Sequence, residues 1–301
     1  VTQARTLDAL VGEAPGPTLV VVGGMHGNEP AGLHAARVVF ERLRGASAAL
    51  RGEVIALCGN LRALAEGRRA IVQDLNRMWS DAELARSRAT EAPAAEVAEQ
   101  VELADALETI RARARGPLYL LDLHTTSAPG VPFVIVGPTA ADRDFSRALP
   151  LPGIVGLEAL LEGVLTSWMH RHGFVALAVE GGQSGTDEAA ANLEAVLTIA
   201  LVACGALDEP AGDGLADARA RLASSCGDLP QLIEVVSRHA LAPGHRFRME
   251  PGFANIHRTP AGTLLARDGD LELRAHEDGF VLLPLYQPEG RDGYFYGRVR
   301  A

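Results

Sequence analysis

A chain of 301 residues in which 48% of side chains are hydrophobic can bury one large core and a smaller one, which excludes extensive disorder. Its formal net charge of −10, with no dense run of Lys and Arg among aromatics, speaks against a nucleic-acid partner. No stretch approaches about 18 uninterrupted apolar residues and the N-terminus has no basic segment before an apolar one, so no membrane partner is expected.

Apolar runs bounded by turn residues recur at 18–22, 54–57, 118–123, 133–136 and 175–179 and read as buried strands. Between several of them the apolar period becomes helical, giving helices over 31–43, 94–113, 157–172 and 187–207. The first starts after Pro30, suited to a first helical turn, and stops before Gly45, suited to a C-terminal cap. The alternation predicts an α/β fold: a mostly parallel mixed sheet flanked by helices on both faces. After "GALDEPAGDG" at 205–214 the pattern changes to short β-type segments: "HRFRMEPGF", "GTLLARDGD", "LELRAHEDGFVLLPL" and "GYFYGRVR". Residues 1–210 are therefore read as a catalytic domain and 211–301 as a small β-rich C-terminal domain. Cys58, Cys204 and Cys226 are widely spaced and odd in number, which fits neither a disulfide framework nor a Cys-rich zinc ribbon and makes the cytoplasm the simplest compartment.

Four polar groups fall at or just after predicted strands: His26 and Glu29 in "HGNE", the block "RRAIVQDLNR" at 68–77, His124 in "LDLHTTS" and Glu180 in "AVEGGQSG". Open α/β sheets bind ligands at the C-terminal ends of their strands. Two histidines and a carboxylate form a zinc set that leaves a fourth position for water, so His26, Glu29 and His124 are the expected metal ligands, for one zinc per chain. Gly23, Gly24 and Gly27 allow sharp turns beside them, and the Gly181–Gly182 pair gives a substrate room to approach. Asp122 has two open readings, an orienter of His124 or a local cap. Glu180 ends an apolar run, an expensive place for a charge without a function, and is the expected general base and acid. Arg69 and Arg77 are the cations available for an oxyanion and a substrate carboxylate, with Asn76 an uncharged donor beside Arg77.

"GGMHGNE", "RRAIVQDLNR", "LDLHTTS" and "VEGG", in this order and at these intervals, resemble the succinylglutamate desuccinylase/aspartoacylase family of the zinc carboxypeptidase superfamily. The resemblance spans residue 18 to about 185. It implies a zinc carboxypeptidase-like fold, zinc on His26, Glu29 and His124, a transition-state arginine at Arg69, a substrate-carboxylate pair at Asn76 and Arg77, and a catalytic glutamate at Glu180. The choice of Arg69 over Arg68 rests on the family spacing to "DLNR". Where family members read Val-Glu-Val-Gly-Pro-Gln, this chain reads Val-Glu-Gly-Gly-Gln-Ser, a departure that bears on substrate identity. The family's C-terminal tyrosine corresponds to Tyr286 or Tyr294, and the family often forms homo-oligomers.

The expected activity is zinc-dependent hydrolysis of the amide bond of a small anionic N-acyl amino acid. Two alternatives stand beside it: a zinc carboxypeptidase acting on short peptides, and a metal-stabilised binding module without catalysis. Taken singly, each motif has a bland reading, a chance His-x-x-Glu or a solvated arginine; the four blocks together carry the weight. Structural roles are expected for His34, His170 and His172, and packing for Cys58. His239, His245, His257 and His276 lack paired spacing and receive no role.

Overall fold

The computed structural model describes residues 4–45, 50–208, 213–242, 244–288 and 290–300. The strands are β1 (Thr6–Val11), β2 (Ala14–Gly23), β3 (Arg51–Cys58), β4 (Leu118–Thr126), β5 (Phe133–Val136), β6 (Gly153–Val155), β7 (Val175–Gln183), β8 (Leu232–Ala240), β9 (Phe247–Met249), β10 (His257–Thr259), β11 (Leu264–Asp268), β12 (Leu271–Arg274), β13 (Gly279–Leu282) and β14 (Asp292–Val299). The helices are α1 (Ala31–Gly45), α2 (Leu61–Glu66), α3 (Asp81–Arg88), α4 (Ala95–Arg113), α5 (Ala140–Arg147), α6 (Leu165–Arg171), α7 (Asp187–Ala203) and α8 (Asp213–Cys226).

Eleven strands form one sheet in the order β1-β3-β2-β4-β7-β5-β6-β8-β14-β13-β10, and β12-β11-β9 form a second, smaller one. Pairing is parallel through β3-β2-β4-β7 and again through β5-β6-β8. It is antiparallel at β1, between β7 and β5, and among the C-terminal strands. The uninterrupted apolar run of β2 serves two faces by its two-residue period. Leu19 and Val21 join a core with Phe40 of α1 and Leu193 and Val196 of α7, whereas Val20 and Val22 join Leu103 and Leu107 of α4 and Trp168 of α6 on the other face.

The C-terminal part is β-rich as expected, but β8, β14, β13 and β10 extend the main sheet rather than standing apart from it. The expected boundary at 210/211 lies outside the described residues. The helix read over 157–172 is broken: only a 3-10 turn at Glu158–Leu160 and α6 are helical. Between them Gly163 has φ 69°, and a Cβ there would stand 2.4 Å from the Arg77 carbonyl oxygen, so close backbone approach overrides the helical period. The helix read over 187–207 ends at Ala203, before Gly205 with φ 81°. Helix α8 escaped the sequence reading because its start lies in the Gly- and Asp-rich segment. On α6, His170 is nearly buried; burial opposes its charge, but Asp142 and Glu158 raise its pKa to about 10, a structural ion-pair role. Among the described residues no helix is long and apolar enough to cross a membrane.

Gly181 faces α7, not a ligand: a Cβ there would lie 2.5 Å from Leu193 Cγ and 2.8 Å from the Ala189 carbonyl oxygen. Gly181→Ala should therefore destabilise the fold by about 1–3 kcal/mol through overpacking, measured as a lower urea midpoint at unchanged slope. An unshifted midpoint would mean that α7 moves away without cost.

Candidate metal centre

Parallel register brings the C-terminal ends of β2, β4 and β7 to one edge. Val22 pairs with Asp122 and Gly23 with Leu123, while His124 pairs with Glu180. Gly24, with φ 68°, turns the chain out of β2, and Gly27 packs so tightly on α2 that a Cβ would stand 2.0 Å from the Ala63 carbonyl carbon. His26 and Glu29 are thereby folded back over the strand ends, where His124 arrives from β4.

The three side chains are buried, and one ligand atom from each lies within 4.8 Å of the others. His26 Nδ1 is 3.0 Å from Glu29 Oε1 and His124 Nδ1 is 3.2 Å from Glu29 Oε2, which also accepts the Thr125 N–H at 3.1 Å. Each imidazole is held from behind: His26 Nε2 is 3.1 Å from Asp74 Oδ1, and His124 Nε2 is 3.0 Å from Asp122 Oδ2. A carboxylate behind each ring fixes its orientation and leaves both Nδ1 atoms facing Glu29. Of the two readings of Asp122, the structure bears out contact with His124. This donor set suits a zinc-class ion, two nitrogens and a carboxylate on one side of an open position.

The electrostatics of the cluster favour positive charge at the imidazoles. For His26, burial and Arg69 oppose protonation, yet Glu29 and Asp74 outweigh them and raise the pKa. His124 is raised well above its ordinary value against burial, by Asp122 and Glu29. Against burial, His26 and His124 hold Glu29 below the carboxylate range, and His26 and Arg69 hold Asp74 below it. Glu180 moves the other way: burial, with Glu29 adding, pushes it up to about 7 although His124, His26 and Arg69 pull it down. Its Oε2 is buried and has no hydrogen-bond partner among the described residues.

The block 68–77 wraps the site. Arg68 is exposed and pairs with Glu66, whereas Arg69 turns inward and donates to Asp74 Oδ2 at 2.8 Å and Glu29 Oε1 at 3.4 Å. Asn76 is buried, its side-chain Oδ1 accepting the Leu165 N–H at 2.8 Å and its Nδ2 donating to Asp122 Oδ2 at 3.4 Å. Arg77 NH2 donates to Asp292 Oδ2 at 3.3 Å, and Arg238 Nε donates to the other oxygen of Asp292 at 2.5 Å. All seven expected site residues line one cleft, closed on its far side by Leu283, Leu285, Asp292 and Phe295. Neither Tyr286 nor Tyr294 lines it: the Tyr286 hydroxyl donates to the Glu250 carbonyl, and Tyr294 stacks on His239.

Sequence reading missed Asp74, Asp292 and Glu96. Asp74 stands inside a motif already singled out, and its proximity to two arginines was the available signal. Glu96 is fully buried, two residues into α4; Oε1 accepts the Ile71 N–H at 2.6 Å, and Oε2 accepts the Val72 and Gln73 N–H groups at 3.0 and 3.3 Å. Asn60 Nδ2 donates to it as well, at 3.1 Å, while the Asn60 N–H bonds the Gly24 carbonyl. One carboxylate thus ties the Arg69 loop to the turn that carries His26.

Fold and site define an α/β protein with a buried His–Glu–His cluster at the C-terminal edge of a parallel sheet. Residues 15–163 match the family model described as the succinylglutamate desuccinylase/aspartoacylase catalytic domain, which places this part of the chain in that family. The matched span carries six of the seven expected site residues and stops before Glu180. Similar solved structures include succinylglutamate desuccinylase from Vibrio parahaemolyticus, with TM-score 0.67 at 14% identity over 95% of this chain and 82% of that one. The product-bound ectoine utilization protein from Ruegeria pomeroyi gives 0.68 at 20% identity, over 96% and 86%. An aspartoacylase family protein from Mesorhizobium loti gives 0.63 at 20%, over 97% and 88%. At such identities these likenesses establish the fold. No curated protein matches the chain at the sequence level.

Two outcomes are expected. Because the pKa of Glu180 is raised in the fold, its stabilising proton is present below its ordinary value and is lost as pH rises through about 7. In chelator-treated protein Glu180→Gln should therefore match wild type in denaturant melts at pH 5 and exceed it by roughly 2–3 kcal/mol at pH 8; an equal difference at both pH values would contradict the raised pKa. Glu96→Gln, which turns an amide donor toward backbone N–H groups, should cost about 1–3 kcal/mol and loosen the 69–74 loop, read as faster amide exchange at Ile71, Val72 and Gln73.

Proposed function

We propose that the chain is a zinc-dependent hydrolase that cleaves the amide bond of a small anionic N-acyl amino acid, releasing a carboxylic acid and a free amine. One observation carries this reading: two imidazoles, each backed by an aspartate, converge with Glu29 beside a buried glutamate whose Oε2 has no partner among the described residues. The match of residues 15–163 to the desuccinylase and aspartoacylase catalytic-domain model supports the same reaction class.

His26, Glu29 and His124 would hold one zinc, which when bound supplies a Lewis acid that polarises the amide carbonyl and acidifies water. Glu180 accepts the proton of the attacking water at its free oxygen and hands it to the leaving nitrogen. Arg69, braced by Asp74, supplies the positive partner of the tetrahedral oxyanion. Arg77 grips a substrate carboxylate, exchanging its long contact with Asp292 for it, and Asn76 contributes the amide hydrogen that Asp122 leaves unused.

Residues 1–210 form the catalytic unit in this reading, and 211–301 a second unit that narrows the cleft through Leu283, Leu285 and Asp292. Leu283 is held there with φ 49°, its N–H bonded to Asn255 Oδ1 at 2.8 Å. A narrowed cleft favours an N-acyl amino acid over a longer peptide. A cytoplasmic location accords with the odd number and wide spacing of the cysteines.

The test pairs elemental analysis with hydrolysis of a panel of N-acetyl and N-succinyl amino acids. One zinc equivalent should disappear in His26→Ala, and one panel member should be cleaved by wild type. Glu180→Gln should keep that zinc and lose about 10²–10⁴ in kcat. Preference for tripeptides or longer would replace the deacylase by a peptidase, and failure to take up a divalent ion after reconstitution would remove the reading.

A further inference from the structure

Histidines without paired spacing in the sequence meet in the fold. His239, one residue from the end of β8, pairs in register with Tyr294 of β14 and so belongs to the main sheet. His245 lies in the connection from β8 to β9. Asp268 ends β11 in the smaller sheet, in register with Phe247. A ligand atom of each lies within 4.8 Å of the others.

The three side chains are oriented as a ligand set. The His239 ring stacks on Tyr294 at 5.7 Å and on Phe247 at 5.4 Å, which fixes its plane. Its Nε2 is buried, has no hydrogen-bond partner among the described residues, and stands 3.4 Å from Asp268 Oδ2. Asp268 Oδ1 is anchored by the Arg246 N–H at 3.1 Å, leaving Oδ2 for His239 and for His245 Nδ1, at 2.5 Å. A hydrogen bond between His245 and Asp268 alone would close this loop, but it leaves the His239 nitrogen buried and unpaid.

Tetrahedral zinc with bonds of about 2.0–2.2 Å separates its ligand atoms by roughly 3.3 Å. The His239–Asp268 separation already has this value, and the His245–Asp268 contact needs to open by less than about 1 Å. His245 keeps a third of its side chain exposed, which gives an ion a way in.

We propose that His239, His245 and Asp268 form a second divalent-metal site of the zinc class, completed by water. None of the three lines the cleft at His26, so the ion is structural: it clamps the end of β8 in the large sheet to β11 in the small one.

Chelator-stripped protein is reloaded with zinc, dialysed and analysed for bound metal as wild type, His26→Ala, His245→Ala and the double variant. The expected stoichiometries are two, one, one and none, and zinc should raise the melting temperature of His26→Ala but not of the double variant. A single wild-type ion lost in His26→Ala and kept in His245→Ala would overturn this site and leave the proposed function standing. A single ion lost only in His245→Ala would do the reverse. Two ions retained in the double variant would also overturn it.

Discussion

Four carboxylates, Glu29, Asp74, Asp122 and Glu180, crowd the C-terminal edge of the parallel strands with two arginines for company, and the site is organised by the need to balance them. A buried charge is tolerated only when paired or neutralised. Here the balance is shared: Arg69 braces Asp74 and Glu29, the two imidazoles are drawn toward protonation, and Glu180 tends to keep its proton. A divalent ion at the Nδ1 atoms would take over the work of the imidazole protons, so binding would release them.

The scaffold holds these groups with few degrees of freedom. His124 and Glu180 stand in register on adjacent strands, and their spacing is that of the sheet itself. The loop groups need separate anchors. Gly27 lets the His26 turn lie against α2, and Glu96 collects three successive N–H groups of the loop that presents Arg69 and Asp74. Across the cleft the C-terminal strands bring Asp292 to Arg77, so the cleft is finished by residues more than two hundred positions from His26.

Where the sequence pattern and the fold part company, close backbone contact is the cause. The helical period over 157–172 is real in the side chains, yet Gly163 must lie against the Arg77 carbonyl and the helix breaks there. The Gly181–Gly182 pair reads as room for a substrate, whereas Gly181 makes room for Leu193 of α7. Both glycines serve packing between elements, Gly163 against Arg77 and Gly181 against the next helix, which the local apolar period does not report.

The sequence by itself determined the central parallel strands, the helices α1, α4 and α7 that cover their two faces, and the residues that meet at the strand ends. Apolar period and turn chemistry are local properties, and "HGNE", "LDLH" and "VEGG" sit at or near the ends of strands, whereas "DLNR" forms a 3-10 turn after α2. Tertiary structure alone decided which arginine turns inward, that Asp74 and Asp122 stand behind the imidazoles, and that the C-terminal strands continue the main sheet. Those outcomes depend on contacts between segments far apart in the chain, formed through burial and charge pairing, and a one-dimensional pattern carries no record of them.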